Sequence, residues 1–404
     1  MIHDSSAMRS TPARGPSATA VAVAGLTALA VAMGIGRFAF TPILPMMQED
    51  AGLSIAEGGW LASANYLGYL LGALSVVAVR IRAARAIRGG LVTIGLATLG
   101  MGLQDSFAIW IALRALAGIA SAWVLICVSA WCLARLEPVR RPLLDSTVFA
   151  GVGAGIALAG ATCLAFMRVH ATSARVWVVF GVVSLVLSVA IWPVFGAADR
   201  VPARRPPRRA FAWDRESIRL TVCYGAFGFG YIIPATFLPV MARQAIKDPT
   251  VFGLSWPMFG AAAVASTLLT TVVRRLVTNR RLWIASHLVM ALGVALPVIW
   301  PGIVATMLAA LCVGGTFMVI TMVGMQEARE VAGERATGLM AAMTSAFALG
   351  QIAGPISVSY IHGAGGTFSA ALLVACVALV MSAYALSRTA SAVSLSRPGH
   401  PGVS

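Results

Sequence analysis

The sequence is poor in charged residues, and it lacks long polar stretches between its apolar runs. Of its 404 residues, 11% are charged and 59% are hydrophobic. A chain of this composition has too few polar groups for a water-soluble globule, so lipid must be the solvent for most of it. No segment outside the apolar runs is long enough for a soluble signalling domain, which makes a membrane sensor or scaffold only a remote alternative.

Signatures of metal binding and of catalysis are also missing. All six cysteines lie inside apolar runs, and no CxxC or Cys/His cluster occurs. We therefore expect packed thiols, no metal site and no cofactor. An integral-membrane enzyme would need paired carboxylates, a Ser/His/Asp set or a His-rich site, and no such cluster is present. An enzyme is therefore the other remote alternative. The cysteines are Cys127, Cys132, Cys163, Cys223, Cys312 and Cys376.

Apolar runs of about 20 residues, the length that crosses a bilayer, occur twelve times. The third run is the shortest. The sequence therefore predicts an all-α integral membrane protein with twelve transmembrane helices. The runs cover residues 18–46, 58–79, 89–104, 107–134, 143–167, 175–195, 218–242, 254–273, 282–300, 302–325, 336–361 and 367–387.

Basic residues outnumber acidic residues by 30 to 14. If both termini are cytoplasmic, 24 basic residues lie on the cytoplasmic side and four on the outer side. This distribution follows the positive-inside rule. We expect a multi-pass protein of the bacterial inner (plasma) membrane with both termini in the cytoplasm. The excess charge orients the chain and contacts anionic lipid of the bilayer, and we expect no nucleic-acid partner.

The two halves of the chain repeat one pattern. The segment from Gly34 to Met47 recurs in part 194 residues later, with Tyr231 in the place of Arg37. Two six-helix bundles related as parallel repeats follow from this offset. We predict a disordered cytoplasmic N-terminus at 1–17, an N-terminal bundle at 18–196, an Arg- and Pro-rich linker at 197–216, a C-terminal bundle at 217–388 and a cytoplasmic tail at 389–404.

These features resemble the major facilitator superfamily (MFS) of secondary transporters along the whole chain. Arg114-x-x-x-Gly118 is similar to the arginine motif of that family's fourth span. Gly350-x-x-x-Gly354-Pro355 is similar to the glycine-proline motif of its antiporters, which the family usually has in span five. The basic loop after span two lacks the family's aspartate. The first two spans resemble, more narrowly, the YbfB/YjiJ-type branch of bacterial transporters, which implies alternating access between two bundles.

Two arginines, Arg37 and Arg114, lie inside spans, where a cation costs about 2.5 to 3.5 kcal/mol. All 14 acidic residues lie in loops or near span ends. We hypothesise that the missing partner is the substrate, an organic anion such as a carboxylate. The alternative is that the arginines bond to backbone carbonyls freed by glycines and prolines. At about 1.5 Å per residue, seven polar residues reach a similar depth and form the predicted substrate-binding or coupling site: Arg37, Asn65, Tyr69, Arg114, Tyr224, Tyr231 and Gln351.

Small residues and prolines in the spans predict close helix packing or gating rather than phosphate loops, because no strand precedes them. These residues are Gly34, Gly36, Gly118, Gly151, Gly155, Gly228, Gly230, Gly350, Gly354 and Pro355. Tryptophans near the ends of the runs predict anchors at the lipid interface. They are Trp60, Trp110, Trp177, Trp256 and Trp300 at the outer ends and Trp131, Trp192 and Trp283 at the inner ends.

The combined prediction is a secondary active transporter of a small organic solute, an organic anion in the leading hypothesis. Protons are the candidate coupling ion, and we expect a monomer. The alternative within the same class is a proton-coupled exporter of amphipathic drug-like compounds, which the antiporter-type glycines favour. A buried arginine pair without a carboxylate attracts anions rather than cationic drugs, and therefore favours the first hypothesis.

Overall fold

A computed structural model describes residues 16–78, 82–139, 141–196, 213–245, 253–300, 302–333, 336–363 and 367–388. These residues form twelve long helices and no strand, which confirms the predicted all-α architecture. In chain order the helices are α1 (Ala18–Asp50), α2 (Ile55–Ala78), α3 (Ala83–Met101), α4 (Phe107–Leu136), α5 (Pro142–Arg168), α6 (Ser173–Ile191), α7 (Arg215–Ala245), α8 (Ser255–Val273), α9 (Asn279–Ile299), α10 (Ile303–Ala332), α11 (Ala336–Gly363) and α12 (Phe368–Ser387).

Ten of these helices are long and apolar enough to cross a membrane. The other two, α2 and α3, are 24 and 19 residues long and carry more polar groups. Helix α3 begins six residues before its predicted run. The prediction started too late because Arg85 and Arg88, in the first turns of the helix, interrupt the apolar pattern. The predicted N-terminal segment up to residue 15, linker residues 197–212 and the tail from residue 389 lie outside the described residues.

The helices pack as two six-helix bundles. In the first bundle α1 packs on α5, α2 packs on α4, and α3 packs on both α4 and α6. In the second bundle α7 packs on α11 and α12, whereas α10 packs on α8 and α9. The bundles meet along α2 and α11, along α5 and α8, and along the last part of α1 and α7. A site between α1 and α7 therefore lies between the two bundles.

Pairs of equivalent residues touch between α1 and α7. The Thr41 hydroxyl donates to the Ala235 carbonyl at 2.8 Å, and Arg243 Nη2 lies 3.0 Å from Glu49 Oε2. Both pairs are separated by 194 residues, the offset of the sequence repeat. A residue can meet its own counterpart only near the symmetry axis. The pseudo-twofold axis therefore runs between α1 and α7.

Helix α1 changes its winding in the middle. It is α-helical over Ala18–Leu29, a π-helix over Ala30–Phe38 and α-helical again over Phe40–Asp50. In the π-helical pattern each carbonyl bonds to the N–H five residues later. Pro42, in the first turn after this segment, has no N–H to donate. The sequence predicts a helix here, but it does not predict the wider turns.

Glycine allows the closest helix crossings. A Cβ on Gly34 would lie 2.4 Å from the backbone of Gly155, so α1 and α5 touch backbone to backbone at this point. A Cβ on Gly118 would lie 2.0 Å from the Asn65 carbonyl oxygen, which joins α4 to α2. The other predicted packing glycines have equally short approaches, at 2.2 to 2.8 Å, and they are Gly36, Gly151, Gly155, Gly228, Gly230, Gly350 and Gly354. Pro355 lies inside α11, where its carbonyl accepts from Ser359 at 2.9 Å.

Candidate functional site

Arg37 projects from the π-helical part of α1 into the contact between the two bundles, and it is only 2% exposed. One guanidinium nitrogen donates to the side-chain oxygen of Gln351 on α11. The guanidinium carbon lies 4.1 Å from the ring centre of Tyr69 and 4.9 Å from that of Tyr66, both on α2. The Nε atom has no hydrogen-bond partner. The charge is therefore held by one neutral amide and by aromatic ring faces.

Gln351 connects the arginine to the second bundle. Its side-chain nitrogen donates to the hydroxyl of Tyr231 on α7, and Gln351 is fully buried. Arg37, Gln351 and Tyr231 thus form one hydrogen-bonded chain across the pseudo-twofold axis. Since Tyr231 is the repeat counterpart of Arg37, the chain joins one cation to the neutral residue at the equivalent position.

Arg114 on α4 is also 2% exposed, but its guanidinium turns towards backbone. It donates to the carbonyls of Gly36 at 3.4 Å and of Arg37 at 3.2 Å. Asn65 on α2 donates to the Gly36 carbonyl at 3.4 Å and to the Arg114 carbonyl at 2.9 Å. The two side chains thus donate to carbonyls of the wide turns, those of Gly36 and Arg37. Their contacts fix the geometry that presents Arg37.

Aromatic rings line the second bundle beside this chain. The Tyr231 ring is nearly parallel to Phe317 on α10, at 4° and 5.8 Å between ring centres, and to Phe347 on α11, at 9° and 5.6 Å. Tyr224 lies about two turns before Tyr231 and contacts Phe347 at 5.3 Å between ring centres. We call Phe317, Tyr231 and Phe347 the aromatic row. Phe38 joins the row from the first bundle, at 6.3 Å from Phe317.

No described carboxylate lies within ion-pair distance of Arg37 or Arg114. The described ion pairs lie elsewhere. Arg243 pairs with Glu49 near the end of α1, and at the opposite end of the second bundle Glu216 pairs with Arg219 and Arg280, and Glu327 with Arg280. The described residues also contain no group of three or more His, Cys, Asp or Glu side chains placed to hold a metal ion. The centre of the protein therefore carries positive charge with neutral partners.

All seven predicted site residues are at most 6% exposed. The protein therefore encloses all seven side chains. Arg37, Tyr69, Tyr231 and Gln351 are joined by direct contacts, while Asn65 and Arg114 hold the backbone behind them. Tyr224 lies beside this group and contacts Phe347 of the aromatic row.

Several residues around the site were missed in the sequence. Tyr66 contacts Arg37, and its hydroxyl lies 3.0 Å from the Thr236 hydroxyl on α7. Its spacing of three residues from Tyr69 is a signal that could have identified it. Phe317 and Phe347 carry no such signal, because apolar side chains occur throughout the spans. The interface prediction is wrong for Trp110, Trp131, Trp177, Trp256 and Trp283, which are at most 7% exposed.

The burial of Trp256 has a specific cause. It stacks on Phe259 at 4.7 Å between ring centres and lies 6.3 Å from Phe38. The ring therefore extends the aromatic cluster instead of meeting lipid. Trp60, Trp192 and Trp300 are 38% to 58% exposed, as the interface prediction requires.

Comparison with known proteins gives two positive results and one negative result. The family model described as "Uncharacterised MFS-type transporter YbfB" matches residues 29–387 of this chain. Among solved structures, the chain is similar to a crystal structure of a mutant of the nucleoside transporter NupG. That likeness has a TM-score of 0.72 and 14% sequence identity, and covers 92% of this chain and 99% of the other. No curated protein matches.

Proposed function

This chain belongs to the YbfB-type family of the major facilitator superfamily, and from that premise we propose that it is a secondary active transporter of a small organic anion. Its membership and its apolar helices make it a multi-pass membrane protein, and they point to a transporter rather than an enzyme. The anion preference is the part that we propose. The observation that carries it is Arg37, a buried cation between the two bundles whose polar partners are neutral.

The argument rests on charge balance. A buried guanidinium is stabilised better by an anion than by an amide, since the attraction between two opposite charges adds to the hydrogen bond. Arg37 has one amide oxygen, two tyrosine faces and an Nε without a partner. A substrate carboxylate supplies the missing charge. In this proposal Arg37 contacts the substrate, and Tyr69, Tyr231 and Gln351 surround it.

Arg114 has a different role in this proposal. Its guanidinium already bonds to two backbone carbonyls and lies 4.6 Å from the ring centre of Phe40. Those contacts fit the alternative that the sequence left open for both arginines. We therefore propose Arg114 and Asn65 as positioning residues that hold the wide turns of α1, while the positive charge of Arg114 still favours an anion nearby.

The charge pattern supports one orientation of the protein in the membrane. The Arg243–Glu49 pair joins the two bundles at the end of the molecule where α1 finishes, and we propose from the positive-inside rule that this end lies outside the cell. We propose that the two bundles rock about the central site in the inner membrane, with both termini cytoplasmic. Protons are the candidate coupling ion. Because no described carboxylate lies beside Arg37, the substrate would be an anion while it is paired with Arg37, and its carboxylate would take up the proton when that pair breaks.

Export of amphipathic drug-like compounds is the second candidate. The extended aromatic cluster around Tyr231 favours it, because such surfaces bind flat apolar molecules. Two buried arginines oppose it for cationic drugs. Nucleosides are a third type of substrate to test, because the similar solved structure is that of a nucleoside transporter.

The test is a ligand-induced thermal shift of the purified protein in detergent. The panel contains benzoate, hexanoate, succinate, uridine and the cationic dye ethidium. Arg37→Gln is compared with Arg175→Gln, which removes an exposed arginine from the first turn of α6. We expect a carboxylate to stabilise the wild type and Arg175→Gln but not Arg37→Gln. Stabilisation by ethidium or uridine alone, unchanged in Arg37→Gln, would overturn the anion proposal.

A further inference from the structure

The Gln351 amide occupies a position that suits a carboxylate. It is a planar group with one oxygen on the Arg37 guanidinium and one nitrogen on the Tyr231 hydroxyl. A carboxylate has the same shape, with two acceptor oxygens. It would accept from the guanidinium at one oxygen and from the tyrosine O–H at the other, and the first of these bonds would join full charges. The amide thus occupies the position that a substrate carboxylate could take.

The surroundings of this position are aromatic rather than aliphatic. Tyr231 is the middle ring of the aromatic row, with Phe317 and Phe347 nearly parallel on either side. Tyr66, Tyr69 and Phe38 present rings to Arg37 from the first bundle, at 4.1 to 5.5 Å. A flat ring attached to the carboxylate would therefore meet ring faces and edges of both bundles. Aliphatic groups would gain burial there but no ring-to-ring interaction.

One acidic group is all that the centre can pair. The second cation, Arg114, bonds to the carbonyls of Gly36 and Arg37. A dicarboxylate would therefore bury a second charge without a partner, which is costly.

From these observations we propose that the transported anion is an aromatic monocarboxylate. Its carboxylate binds between Arg37 and Tyr231 in place of the Gln351 amide, and its ring packs against the aromatic row. This inference rests on the proposed function, because it specifies the substrate class of the same site.

The experiment compares three small probes by their dissociation constants for the purified protein. Benzoate has both the ring and the charge, cyclohexanecarboxylate has the charge with a saturated ring, and benzamide has the ring without the charge. We expect benzoate to bind about two- to twelvefold more tightly than cyclohexanecarboxylate. This factor corresponds to the interaction energy of one pair of aromatic rings. Benzamide should bind at least tenfold more weakly than benzoate.

Two variants separate the two parts of the site. Phe317→Leu should remove the preference for benzoate over cyclohexanecarboxylate while both still bind. Tyr231→Phe keeps the ring and loses the hydroxyl, so it should weaken both carboxylates by the same factor. If Phe317→Leu does not fold, Phe347→Leu replaces it, because Phe347 is only partly buried.

The two levels of the proposal fail in different ways. Equal binding of benzoate and cyclohexanecarboxylate, lost in Arg37→Gln, would overturn the aromatic inference and leave the anion transporter standing. Failure of benzoate to bind would also overturn it. If none of benzoate, cyclohexanecarboxylate, hexanoate and succinate binds, the proposed function falls as well.

Discussion

Replacing Gln351 by glutamate should block the site from within. Glutamate has the length and shape of glutamine, but its terminal group is a carboxylate in place of the amide. This carboxylate would lie beside the Arg37 guanidinium. Two unit charges about 4 Å apart attract by about 4 kcal/mol at an effective dielectric constant of about 20, which equals about a thousandfold in a dissociation constant. Burying the new carboxylate offsets part of this gain. We therefore expect benzoate affinity to fall by at least about tenfold, with about a thousandfold as the upper limit.

The assay is titration with benzoate in detergent, followed by thermal unfolding of the unliganded protein. Gln351→Met is the matched control, since it has similar length and offers Arg37 neither charge nor a strong acceptor. We expect Gln351→Met to keep benzoate binding and Gln351→Glu to lose it. The unliganded glutamate variant should melt no lower than the wild type, because its new ion pair forms inside the folded protein.

Two results would refute this reasoning. Wild-type affinity in Gln351→Glu would mean that the substrate does not take the place of the amide. An equal loss in Gln351→Met and Gln351→Glu would mean that the Gln351 amide itself holds the substrate.

Three further predictions concern the framework of the site. Arg114→Leu should remove the side-chain donor of the Arg37 carbonyl, at about 1 to 3 kcal/mol, and lower the melting temperature, whereas the Gly36 carbonyl keeps its bond from Asn65; a melting temperature equal to that of the wild type would contradict this. Gly34→Ala should reduce the yield of folded protein because its Cβ would meet α5 backbone, whereas Gly89→Ala, with no atom within 4 Å, should be tolerated; equal yields would refute the packing argument. Charge reversal in Glu49→Lys should change benzoate exchange in proteoliposomes, and adding Arg243→Glu should restore it; no rescue would show that the pair does not control closure.

The sequence predicted the architecture well because a single physical requirement determines that architecture. Lipid demands long apolar helices, so twelve apolar runs became twelve helices. The duplication was visible because Arg37 and Tyr231 lie in the same surroundings at an offset of 194 residues. The sequence also indicated the depth of the polar residues, since helical rise converts position into depth.

The direction of each side chain could not be read in the same way. The wide turns of α1 rotate everything after them, and no periodicity reveals them. Arg37 bonds to a residue 314 positions away, and Gln351 to one 120 positions away. Such pairs depend on how the two bundles pack against each other. The periodicity of a local stretch of sequence carries no information about that packing. For the same reason Arg114 and Arg37 looked alike in the sequence but differ in their contacts.

The contacts between equivalent positions imply a history of divergence. In a dimer of two identical six-helix subunits, a residue on the axis would face its own copy. Glu49 would then meet a second glutamate, and Arg37 would lie near a second arginine across the axis, each with like-charge repulsion. The Glu49–Arg243 pair and the Arg37–Gln351–Tyr231 chain require different residues in the two halves. A polar, one-sided centre of this kind can arise only after duplicated halves have become free to change separately.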